Sequence, residues 1–180
     1  MNKKLIVLSH CILNSYSKVE SFQEKTPFHK LAIDLLNEGY AIIQLPCPEN
    51  IIYGQRRWGH VREQFDTPFY REQCRELLKP YILQIKDYVN NDFSIEGIVS
   101  IEGSPSCGNS LTCSSKKCFG EFSSNPNLSQ CLSDIKMVKG PGVFMEEVVK
   151  LLKENNIKIA ILELEEDKYT SLDDLRKSLF

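Results

Sequence analysis

Four short, mainly apolar runs punctuate the chain: Leu5 to Leu8, Tyr40 to Leu45, Gly97 to Ile101 and Ile157 to Leu164. They are rich in β-branched residues and bounded by polar or turn residues. Unbroken rather than alternating apolar character suits strands covered on both faces, as in a parallel sheet. Between the runs the period changes to that of a helix. Thr26 and Pro27 supply an N-cap and a first-turn proline, and Phe28, Leu31, Ala32, Leu35 and Leu36 follow at helical spacing until Gly39. Thr67 and Pro68 repeat this start signal before a long stripe from Tyr70 to Val89, with Pro80 expected to kink or split the helix. Gly140, Pro141 and Gly142 open a third stripe through Phe144, Met145, Val148, Val149 and Leu152. Ser171 and Asp174 suggest a brief C-terminal helical turn.

Alternating strands and helices, joined by right-handed crossovers, predict a single α/β domain over residues 1–180: a doubly wound, mainly parallel, Rossmann-like sheet of about four strands in the order 2-1-3-4, flanked by helices. Residues 109–139, rich in Ser, Asn and Lys and holding Cys113, Cys118 and Cys131, break the alternation. They read as a long cysteine-bearing excursion after the third strand, and loops of that length are commonly functional.

Composition narrows the class. With 180 residues the chain can bury a sizeable core without disulfides. Lys and Arg number 22 against 24 for Asp and Glu, so no strong field draws nucleic acid or an anionic membrane. The N-terminal apolar run is too short for a signal-peptide core and no segment reaches membrane-spanning length, so a cytoplasmic location is expected. In that compartment the seven cysteines are expected to be reduced, which turns attention to metal ligation or thiol chemistry.

Cys11, Cys47 and Cys107 each lie a few residues beyond the carboxyl end of an apolar run. In open parallel sheets ligands bind outside those ends, near the point where strand order reverses. Topology alone would therefore bring three distant thiols together, and three thiolates in a desolvated place call for a cation. Structural zinc favours four closed ligands, usually supplied as C-x-x-C pairs, and the chain has no such pair; zinc remains the lesser alternative. A 4Fe-4S cube accepts thiolates from dispersed positions and, held by three of them, keeps one iron open. Cys74 falls inside a helical stripe and reads as core.

The motifs at these positions are Ser-His-Cys at 9–11, Cys-Pro-Glu at 47–49, Ser-Pro-Ser-Cys-Gly at 104–108 and Gly-Pro-Gly-Val at 140–143. Together they resemble the thiouracil desulfidase family of iron–sulfur enzymes over nearly the whole chain. The resemblance implies a 4Fe-4S cluster on Cys11, Cys47 and Cys107, with Glu49 as the acid/base residue and Ser104 as its polar partner. It implies replacement of C=S by C=O in a thiolated pyrimidine base or nucleotide, with release of sulfide and no net electron transfer. The chain departs from the family pattern at Ile12, Leu13 and Asn14, and in its long excursion where a short link is usual; both differences fall where substrate walls are expected.

Further candidates surround this set. His10 adjoins the first cysteine and could bond a cluster sulfur or the substrate. Arg56, Trp58, His60 and Arg62, with Arg57, form a basic, aromatic stretch able to grip a phosphate or a planar base. Gly142, at a helix start, offers backbone N–H groups to an anion, and Ser106 and Gly108 flank the third cysteine as substrate contacts. Glu163 and Glu165 end the fourth strand at the same rim. Cys113, Cys118 and Cys131, with Cys107, are candidates for a second metal site, or remain reduced loop thiols. The rival to the enzyme is a cluster- or zinc-bearing sensor or sulfur carrier without turnover.

Overall fold

In the computed structural model, which describes residues 3–23, 28–165, 168 and 171–177, the four apolar runs become one sheet. Its strands are β1 (Lys4–Leu8), β2 (Ala41–Gln44), β3 (Ser94–Ile101) and β6 (Ile161–Leu164), ordered β2-β1-β3-β6. All three pairings are parallel. This is the predicted 2-1-3-4 order, the fourth apolar run supplying β6. The first two strands lie side by side and the third returns to the opposite edge of β1, so strand order reverses beside β1, the place where open parallel sheets commonly bind ligands at their carboxyl ends.

Helices cover both faces, which is why the strands read as unbroken apolar runs. On one face α5 (Pro68–Asn90) and α7 (Val143–Glu154) pack Tyr70, Leu78, Ile82, Phe144 and Val148 against Leu5, Val7 and Ile98. On the other, α2 (Phe28–Asn37) and α8 (Leu172–Lys177) bring Leu31, Leu35, Leu172 and Leu175 onto Ile6, Leu8 and Val99. The start signal expected at Thr26 and Pro27 lies outside the described residues. At the second start the prediction holds in detail: the Thr67 hydroxyl accepts from the Tyr70 N–H at 3.2 Å and Pro68 opens the helix. Helix α5 nonetheless runs unbroken through Pro80, whose ring is exposed, so the lost backbone N–H is no burden on the core.

The excursion is more ordered than its composition suggests. Strands β4 (Leu111–Ser114) and β5 (Lys136–Lys139) pair antiparallel, with α6 (Leu128–Ser133) between them. Cys118 and Cys131 form a disulfide across a Cα–Cα distance of 4.5 Å. This corrects the expectation of reduced loop thiols, and it removes two of the four candidate ligands of a second metal site. Three short helices also went unforeseen: α1 (His10–Leu13), α3 (Pro48–Tyr53) and α4 (Arg62–Phe65).

An ionic lattice ties α5 to α7. Arg71 donates to Asp66, Glu146 and Glu147, Arg75 to Glu147 and Glu154, and Arg62 to Asp66 and Glu146. The Glu147 side chain is only 3% exposed. Its burial opposes ionisation, but bonds from Lys150, Arg71 and Arg75 prevail and hold its carboxyl below the ordinary glutamate range. A folded-state value below the unfolded one contributes stability that is present above the unfolded glutamate value and is lost as pH falls through the folded one. The expected result is a thermal midpoint that declines below about pH 4.3. Glu147→Gln should flatten that decline and cost about 2 kcal/mol at neutral pH, the scale of hydrogen bonds to a charged group. A calorimetric pH series on both proteins measures it.

Candidate metal centre

Each cysteine of the trio reaches the carboxyl rim on its own piece of backbone. Cys11 lies in α1, immediately after β1, where the Ser9 hydroxyl donates to Val99 O at 2.8 Å and fastens the turn to β3. Cys47 is the N-cap of α3, its Sγ accepting from the Asn50 N–H at 3.4 Å. Cys107 closes the turn after β3, whose shape is set by Ser104: its Oγ accepts from the N–H groups of Ser106 at 3.3 Å and Cys107 at 2.9 Å. In both bonds the Ser104 oxygen is the acceptor, so its own hydroxyl hydrogen stays available.

These placements converge. Burial pushes the Cys107 thiol well above its ordinary range, and the nearby charges of Cys47, Cys11 and Glu49 push it further in the same direction. Burial also raises Cys47, with Glu49 adding to it and the Asn50 N–H and Arg57 opposing. Cys47, Cys107 and Glu49 thus share a place where each is harder to ionise than usual, with Cys11 close enough to act on Cys107. Among the described residues, no group of His, Cys, Asp or Glu is close enough to hold a single metal ion. Ligands to a cube stand at separate corners of an inorganic core, farther apart than ligands to one ion. A trio of soft donors whose ionisation is mutually costly is chemically suited to such a core, which would take up the charge.

Glu49 lies in the first turn of α3, its side chain 16% exposed. Burial raises its carboxyl above the ordinary range, against the charge and hydrogen bond of Arg57. Arg57 had been expected to grip the substrate. Instead its side chain is 3% exposed and its donors are committed: Nε to Glu49 at 3.3 Å, one terminal nitrogen to Gly54 O at 3.2 Å and the other to Ser17 O at 2.6 Å. It braces Glu49 rather than facing a ligand. Gly54, at φ 76°, makes the left-handed turn that sends the chain back toward this contact.

Several other expected substrate contacts are also used internally. His10 Nδ1 lies 3.1 Å from Leu45 O; a carbonyl can only accept, so that nitrogen carries the hydrogen and the ring joins the ends of β1 and β2. The N-terminus of α7 is docked onto the cysteine turn: Gly142 N–H donates to Gly108 O, Val143 N–H to Pro105 O and Met145 N–H to Ser106 O. Those amides are therefore not open to an anion, as had been expected of Gly142. A Cβ on Gly142 would stand 2.5 Å from the Ser106 backbone, so glycine is needed here for close approach. Gly108 is under the same constraint, a Cβ there colliding with the carbonyls of Leu111 and Ser104. Ser106 is fully buried and cannot line a substrate wall.

The basic, aromatic stretch divides. Arg56 and Trp58 are exposed, and the Trp58 ring meets Phe122 of the excursion edge-on at 6.2 Å. Arg62 belongs to the ionic lattice. His60 is packed between Tyr53 and Phe65, ring centroids 4.9 Å from each, and burial lowers its basicity. Glu163 accepts from the N–H groups of Asn109 and Ser110 at 3.0 and 2.9 Å and from the Ser110 hydroxyl, pinning the backbone that follows Cys107. Cys113 is partly buried on β4, its thiol raised by burial and by Glu63.

Fold and site together define an α/β protein with a parallel sheet and three cysteines at the carboxyl rim beside its switch point. The chain is 38% identical over 106 residues to the uncharacterized protein MJ0003 of Methanocaldococcus jannaschii, a match covering 58% of this chain and 67% of that protein. It belongs to the same family. No family profile matches the chain, and no solved structure matches it. Among the described residues no helix is long and apolar enough to cross a membrane.

Proposed function

We propose that the chain is an iron–sulfur desulfidase: Cys11, Cys47 and Cys107 hold a 4Fe-4S cluster, and the site converts the C=S of a thiolated pyrimidine base or nucleotide to C=O, consuming water and releasing sulfide. The observation that supports the reading is the position of the three cysteines just past the carboxyl ends of three adjacent strands, β2, β1 and β3.

A bound cluster with an open iron would supply Lewis-acid polarisation of the thiocarbonyl sulfur. The chain supplies the proton handling. Glu49, partly buried and with its affinity for a proton raised, is suited to take a proton from the attacking water and return it to the leaving sulfur. Arg57 holds that carboxylate by one oxygen and leaves the other for the water. The Ser104 hydroxyl hydrogen, unused in the turn, can donate to charge developing on the ring. Nothing in this sequence requires an electron donor, since water enters and hydrogen sulfide leaves with no change in oxidation state.

Anaerobically purified protein incubated with 2-thiouracil, 4-thiouracil or their nucleotides should release sulfide and the oxo-pyrimidine in equal amounts. Protein that carries a cluster but releases no sulfide from any of these would favour the sensor or sulfur-carrier reading.

A further inference from the structure

A line of buried groups leads from the helical layer to the third cysteine of the rim. Tyr70, in the first turn of α5 and 1% exposed, places its hydroxyl 3.2 Å from the Ser106 Oγ, itself fully buried. Ser106 Oγ in turn lies 3.8 Å from Cys107 Sγ. One helical turn further along α5 lies Cys74, fully buried.

A stacked wall fixes the tyrosine: Phe65 lies against it with ring centroids 4.7 Å apart and planes 16° from parallel. Ser106 is fixed by the docking of α7, through Met145 N–H to Ser106 O and the close approach of Gly142. Two polar hydroxyls at the centre of an apolar layer are costly unless each has a partner. Packing does not require them, since phenylalanine and alanine would fill the same space.

We propose that Tyr70 and Ser106 form a hydroxyl relay that donates a hydrogen bond to the Cys107 sulfur when that sulfur is a cluster ligand. The proposal rests on the cluster reading above. With Cys107 as a thiol, its S–H donates to Ser106. A sulfur bound to iron as thiolate can only accept, so the order reverses: Tyr70 O–H toward Ser106, and Ser106 O–H toward Cys107. Each donor strengthens the next in so dry a place. Tyr70 and Ser106 are positioning residues that act through Cys107 and do not touch substrate. A donor to a ligand sulfur favours the more negatively charged state of a cluster, so the relay raises its reduction potential.

The test is a potentiometric titration of anaerobically reconstituted protein, followed by electron paramagnetic resonance and normalised to iron content. Parent, Tyr70→Phe, Ser106→Ala and the double variant are compared. Each single variant should still take up the cluster but be harder to reduce, by about tenfold in the reduction equilibrium, or ~59 mV for one electron. The double variant should shift little beyond Ser106→Ala, because the tyrosine acts only through the serine. Cluster-loaded single variants with the parent's potential would overturn the relay and leave the cluster reading standing, as would a double variant shifted by the sum of the two. A parent protein that takes up no cluster would overturn both. Tyr70→Phe removes a single hydroxyl, so it supplies the reading even if Ser106→Ala disturbs the docked turn.

Discussion

Cys107→Ala protein, purified anaerobically, is expected to carry little iron and to release sulfide from thiouracil at a rate lower by roughly 10²-fold or more. Loss of groups that merely bond a metal ligand costs 10–100-fold, and loss of a ligand sets the upper end of that scale. The effect should be local. Cys107 is packed beside the core on the α5–α7 face, but its turn is held by Ser104, by the docked end of α7 and by Glu163, none of which uses the cysteine side chain. Circular dichroism and the thermal midpoint of the cluster-free forms should therefore stay close to each other. Cys74→Ala supplies the contrast: that thiol is fully buried in α5, so its loss should lower stability while iron is retained. If Cys107→Ala kept its iron and Cys74→Ala lost it, the assignment of ligands would be wrong.

Glu49→Gln is expected to keep the cluster and lose about 10²- to 10⁴-fold in kcat, the range for removal of a general acid/base. Glutamine is nearly the same shape and keeps an oxygen for the Arg57 Nε–H, so the brace to Ser17 and Gly54 persists. What is lost is a group that can gain and give up a proton. Sulfide release under saturating thiouracil, set beside iron content, reads this directly. A Glu49→Gln protein as active as its parent would leave the three cysteines as a cluster site without the chemistry assigned to it, and the sensor or carrier reading would then be preferred.

The features legible in the sequence are those set by local pattern. Runs such as Leu5 to Leu8 had to be buried on both faces, and that alone implied parallel strands with helical cover. Thr67-Pro68 and Gly140-Pro141-Gly142 marked helix starts because capping is a local matter. The position of Cys11, Cys47 and Cys107 just past three strand ends was likewise a matter of local pattern.

What stayed hidden depends on contacts between distant segments. Arg57 looked like a surface cation beside Arg56, and only its bonds to Ser17 and Glu49 show that it is internal. Gly142 suggested an anion site, yet the carbonyls of Pro105, Ser106 and Gly108 take up its helix terminus. Helices α1 and α3 are too short for a hydrophobic period, so residues at the rim read as loop. The β4–β5 ladder and the Cys118–Cys131 bridge join residues separated by the rest of the excursion, and no spacing rule identifies such partners. Tyr70 read as an ordinary stripe residue; its hydroxyl gained significance only beside Ser106.

Iron, zinc and acid-labile sulfide determined on the same anaerobic sample test the central idea most directly. About four irons and four sulfides per chain, falling together when Cys11, Cys47 or Cys107 is replaced, is the predicted result. Zinc without sulfide, or iron indifferent to all three replacements, would contradict it.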